Sequence, residues 1–95
     1  MFLILLRFSA NKADAPNLME GHNAWIKQGF DDGVFLLTGS LKPGLGGSVV
    51  AHNATLEELH ARVALDPFVA GNVVSAEILE IAPAKTDPRL AFLAA

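Results

Sequence analysis

Two residues far apart in this chain, His22 and Asp66, have the types that a proton-transfer site needs. Imidazole titrates near neutral pH, and a carboxylate beside it fixes its tautomer and raises its basicity. His22 stands where the pattern would place an apolar side chain. Leu18, His22, Trp25, Ile26 and Phe30 fall at helical spacing, so the imidazole shares the inward face of a helix with its hydrophobic neighbours. Burying a polar ring costs free energy unless it gains a partner. Asp66, in the helix stop Asp66-Pro67-Phe68, is the carboxylate to pair with it, and such a pair can move protons without a nucleophile. The alternative is a satisfied core histidine and a carboxylate that caps a helix end, and the residues alone leave both readings open.

Two further residues are candidates for holding a substrate. Ser40, at the end of a strand beside a loop, can donate to a substrate oxygen or serve as an ordinary turn residue. Arg7 is the cation of the first strand, suited to a carboxylate or enolate in the pocket, or else to solvent or a charge across an interface. His52 and His60 have no acidic or histidine partner at ligand spacing, so no metal site is expected and both read as surface histidines. Trp25 and Phe68 are expected to fill the core rather than line the pocket. Gly44-Leu45-Gly46-Gly47 lacks the strand-to-helix context and the lysine of a phosphate loop, and reads as a hairpin.

The elements that must position these residues follow from periodicity and punctuation. Residues 2–8 form an apolar run of strand length, interrupted by Arg7 and too short to span a bilayer. A helix starts between Asp14 and Leu18, runs to about Asp32, and meets a stop at Gly33. Val34 to Leu41 is a second strand, joined through the glycine-rich turn to a third at Ser48 to His52. Thr55-Leu56-Glu57-Glu58 is a capping box that opens a second helix. Its stripe of Leu56, Leu59 and Val63 faces the core, with His60 either on that stripe or at the surface, and Pro67 ends it. Val73 to Ile81 is the fourth strand, and residues 85–95 form a tail whose Leu90, Phe92 and Leu93 suit docking on a subunit surface.

Strand, helix, strand, strand, helix, strand is the order of a ferredoxin-like βαββαβ sandwich, an α+β fold. Two helices cover one side of such a sheet. The other side stays open although the first two strands are apolar on both faces, so a second sheet is expected to meet it in a homodimer. Composition agrees: the chain is 52% hydrophobic and 18% charged over 95 residues, more apolar than one small core needs. That length makes one domain, with a core at 1–82 and a tail at 83–95. The net charge is −3 and the seven basic residues are dispersed, which argues against nucleic acid as a partner. The chain contains no cysteine, which excludes disulfides and thiol catalysis. No targeting or membrane segment is recognised, so a cytoplasmic location is the default.

The histidine helix before Trp25-Ile26, the Gly33 to Gly39 strand opening into Gly39-Ser40, and Asp66-Pro67-Phe68-Val69 ahead of the last strand together resemble the YCII-related (YciI-like) family over roughly residues 1–82. Histidine plus this stop is the more specific part of the match. The resemblance implies a dimeric α+β barrel with a pocket in each subunit, His22 as general acid/base and Asp66 as its orienting carboxylate. Many relatives continue the second strand as glycine-proline, whereas here Gly39 is followed by Ser40 and proline is delayed to Pro43, which alters the pocket rim. A few members resemble dehydrochlorinases or other lyases of catechol degradation, and fold kinship does not settle the reaction. The expected function is therefore a cofactor-independent lyase or isomerase acting on a small oxygenated or aromatic substrate. The competing class is a non-catalytic dimeric domain that binds a small ligand or is merely structural.

Overall fold

A computed structural model describes residues 1–94 of the chain. The elements are β1 (Phe2–Phe8), α1 (Ala15–Asp31), β2 (Phe35–Leu41), β3 (Gly46–Ala51), α2 (Leu56–Ala64), α3 (Pro67–Ala70) and β4 (Val74–Glu80), with short 3-10 turns at Lys12–Asp14 and Pro88–Leu93. The four strands form one antiparallel sheet in the order β2-β3-β1-β4, which is the ferredoxin-like arrangement expected from the element order. Among the described residues, no helix is long and apolar enough to cross a membrane.

Strand alternation divides the sheet into two faces. Phe2, Ile4 and Leu6 of β1 and Val49 and Ala51 of β3 point at the helices and are buried. They pack with Trp25 of α1, Leu59 and Val63 of α2, and Phe68 of α3 into one core. Leu3, Leu5 and Arg7 point the other way, in register with Leu79, Glu77 and Ser75 of β4 and with Val50, Ser48 and Gly46 of β3. That second face carries no helix. Part of it is covered by the tail, where Leu90, Phe92 and Leu93 share an apolar groove with Leu36, Leu37 and Val50. Leu37 nonetheless stays 54% exposed.

Four sequence expectations change. Pro67 does not simply end a helix: α2 stops at Ala64, and Pro67 is the first residue of α3, with Asp66 as its N-cap. Proline fits there because a first-turn residue needs no N–H partner and its φ is already helical. The third strand begins two residues earlier than expected, at Gly46, because the glycine pair continues the ladder to Leu6 and Arg7. His60 and Leu56 leave the stripe of α2 and are exposed, while Leu59 and Val63 bury. Phe30, at the last turn of α1, is 42% exposed and touches Phe35 edge-on with ring centroids 6.2 Å apart.

Candidate functional site

The site is assembled where α1 crosses the start of α3. Gly21 permits the approach: a Cβ there would lie 3.0 Å from Pro67 Cγ, tighter than side chains normally accept. One residue on, His22 Nδ1 lies 2.8 Å from Asp66 Oδ1. The Asp66 side chain is completely buried and that of His22 is 13% exposed. Asp66 Oδ1 also accepts the Phe68 backbone N–H at 3.0 Å, so one oxygen both caps α3 and holds the imidazole. Its other oxygen, Oδ2, is buried without a partner. With the carboxyl ionised, Oδ1 accepts from Nδ1–H, and Nε2 is the nitrogen free for other work.

Aromatic packing fixes the ring plane. His22 lies flat on Phe68, centroids 3.9 Å apart and planes 3° from parallel, and Trp25 flanks it at 6.0 Å. Trp25 is buried and donates its indole N–H to the Arg62 carbonyl at 2.9 Å, which ties α1 to α2. Phe68 thus does more than fill the core: it is the plate on which the imidazole rests.

His22 opens onto two adjoining cavities of about 220 and 240 Å³ between α1 and the inner face of the sheet. Ser40 lines both, together with Leu6, Gly39 and Gly47. It reaches them because Thr38 and Ser40 pair with Val49 and Gly47 on the helix side of the sheet. Three of the four residues singled out by sequence therefore meet in one place. Arg7 does not. Its neighbour Leu6 points into the cavity, so alternation sends Arg7 to the opposite face, where Nη1 donates to Glu77 Oε1 at 2.9 Å. A role for Arg7 in binding a substrate beside His22 is corrected accordingly.

Asn23, Met19 and Thr38 also line the cavities and were missed. Thr38 was legible, two residues before Ser40 in an extended segment and so on the same face. Met19 and Asn23 were legible too, since Met19, His22, Asn23 and Ile26 fall at i, i+3, i+4 and i+7 on one face of α1. His52 meets Phe92 edge-on with centroids 5.5 Å apart. Among the described residues, no three histidine, aspartate or glutamate side chains come together as metal ligands would.

A larger cavity of about 390 Å³ lies between α1 and α2, beside Trp25, Asp32, Glu58 and Arg62. Its charges are already matched. Arg62 Nη2 donates to Asp32 Oδ2 at 2.9 Å, and hydrogen bonds from Gln28 and then Arg62 hold the Asp32 carboxyl below its ordinary range. Glu58 accepts from the Thr55 backbone N–H at 2.9 Å. The smaller cavities are the ones with an imidazole nitrogen and a serine hydroxyl free of protein partners among the described residues.

The chain folds as a ferredoxin-like α+β sandwich, one four-stranded antiparallel sheet with its helices on one face. Among solved structures it is similar to 5-chloro-2-hydroxyhydroquinone dehydrochlorinase (TftG) from Burkholderia phenoliruptrix, determined in complex with 2,5-dihydroxybenzoquinone. The TM-score is 0.68 at 14% sequence identity, over 85% of this chain and 93% of that one. At that identity the likeness is one of fold. No protein-family model and no curated protein matches the chain.

Proposed function

We propose that this chain is a cofactor-independent enzyme of the YciI-like group, a lyase or isomerase in which His22 carries a proton on a small oxygenated or aromatic substrate. The observation that carries the reading is the contact of 2.8 Å between His22 Nδ1 and the fully buried Asp66, at the wall of cavities that Ser40 shares. Nε2 takes a proton from one substrate atom, Asp66 orients and stabilises the imidazolium so formed, and the proton returns to a second atom. Ser40 donates to the substrate oxygen on which charge gathers. The similar fold of a dehydrochlorinase bound to a dihydroxybenzoquinone supports a small cyclic substrate. We further read the open, apolar sheet face as the contact between two copies of the chain.

Deuterium exchange tests the chemistry. The protein in D2O is expected to speed incorporation of deuterium into small hydroxylated quinones and phenols above the buffer rate, and His22→Asn is expected to return it to that rate. Exchange by His22→Asn at the wild-type rate overturns the reading.

A second reading has its own observation, the Asp66 cap on Phe68 N–H, which a purely structural or ligand-binding domain would also need. In that case His22→Asn lowers the melting temperature and wild type shows no exchange with any substrate.

A further inference from the structure

We propose that Gly47 is a specificity-determining position, whose missing side chain leaves a bare backbone floor on which an uncharged, flat, single-ring molecule lies beside His22. The inference rests on the reading that the His22 cavities hold the ligand, and it names the ligand's class. Gly47 sits on the helix side of the sheet, in register with Leu6 and Ser40, and borders both cavities.

Neither backbone nor packing demands glycine there. Its φ lies outside the positive range that favours glycine, and a Cβ would meet only the Gly39 carbonyl oxygen, at 3.5 Å, an ordinary contact. Its neighbour Gly46 is the opposite case. There φ is +135° and a Cβ would collide with the Leu6 carbonyl oxygen, so glycine is required by the chain itself. What a side chain at Gly47 would take is cavity space.

Shape and charge then define the occupant. The two cavities, about 220 and 240 Å³, meet at Leu6, His22, Ser40 and Gly47, so the space beside His22 suits one ring with its small substituents. Dispersion attraction falls steeply across a gap, so over a floor without a side chain a flat face keeps more contact than a puckered one. The polar side chains that face the cavities, apart from His22, are the neutral Asn23, Thr38 and Ser40, and among the described residues no lysine or arginine lines either one. Arg7, the cation that would otherwise recognise a carboxylate, is on the other face with Glu77. An anionic ligand would have to leave water for a wall without a fixed positive charge.

The test is an NMR titration of the full chain that follows the His22 imidazole and the Gly47 amide, with hydroquinone, cyclohexane-1,4-diol and benzoate as probes. Hydroquinone is expected to shift both signals saturably, with the non-planar diol and the anion weaker by about tenfold or more. Gly47→Ala is expected to weaken hydroquinone by about tenfold, and Gly47→Val by more, while the thermal midpoint holds. The alanine variant keeps the test decisive if valine disturbs the strand. Unchanged hydroquinone affinity in Gly47→Ala, or benzoate binding as tightly as hydroquinone, overturns the proposal and leaves proton transfer at His22 standing. A wild-type protein in which no probe shifts His22 overturns the proposal together with the cavity as a ligand site.

Discussion

The two faces of the sheet are made by alternate residues of the same strands, yet they differ in how polar groups are treated. On the helix side, Ile4 and Leu6 are buried and Asp66, the one buried charged side chain among the described residues, meets His22 at hydrogen-bond distance. On the other side, Leu3 and Leu5 are only half-buried, and Arg7 and Glu77 pair in the open with about half of each side chain exposed. An exposed pair of that kind contributes little to stability, whereas a buried carboxylate deprived of its partner is costly. The proposed chemistry lies on the face where a polar group is held by several elements at once, and the proposed association on the face whose apolar side chains stay half-exposed.

The sharpest way to break this contrast is to disable the helix side. His22→Asn, which offers an amide N–H in place of Nδ1–H but no proton carrier, should lower turnover by about two to four orders of magnitude once a substrate is in hand, with the amide spectrum of the sheet unchanged. A decrease of less than about fivefold would remove His22 from the role of acid or base.

The open face is tested from the other direction. Leu5 stands opposite Ser48 and Glu77 on that face, so Leu5→Glu places a charge at its centre without touching the helix side. Sedimentation is expected to show wild-type dimers at micromolar concentration and Leu5→Glu monomers, with the imidazole signals of His22 retained. A monomeric wild type would end the assignment of that face to self-association.

Asp66→Asn has a smaller expected effect on turnover than loss of the imidazole, because the proton carrier remains and only its orientation and charge partner go. The amide oxygen can still accept from Phe68 N–H, so α3 should keep its cap. If the carboxylate orients the imidazole, the His22 ring nitrogen signals should report one tautomer, with the proton on Nδ1, in wild type and a mixture in Asp66→Asn. Identical ring signals in the two would leave Asp66 as a cap alone.

How much of this could be read in the chain differs between the two faces. The element order, the helix stripe through His22 and the acidic residue ahead of Pro67 are local patterns, and the fold that follows brings His22 and Asp66 to 2.8 Å. The side of the sheet on which Arg7 falls is a matter of register, and a continuous apolar run such as Leu3 to Leu6 has no alternation to reveal it. Pro67 was ambiguous for a related reason: proline both disfavours helix at the residue before it and opens helices well, and only the N–H bond to Asp66 Oδ1 decides between them. Close approaches such as Gly21 to Pro67 depend on how two helices cross, which spacing along one helix does not encode.

The mildest perturbation separates stability from both faces. Thr55 caps α2, accepting from Glu58 N–H at 3.1 Å while Glu58 returns the bond to Thr55 N–H. This box lies at the end of α2 away from Asp66, so Thr55→Ala should cost about 1 kcal/mol in denaturant unfolding and leave the His22 signals and the sedimentation profile unchanged. Its pH dependence gives a second readout. The bond from the Thr55 backbone N–H holds the Glu58 carboxyl below its ordinary range, so its contribution is present above that range and fades as pH falls through the lowered value. In Glu58→Gln that part of the acid dependence should disappear while the neutral-pH spectrum of His22 stays as in wild type. A shift at His22 in either variant would mean that the cap of α2 and the imidazole are coupled through Trp25 and the Arg62 carbonyl, a hydrogen bond that links α1 to the body of α2 through a core side chain.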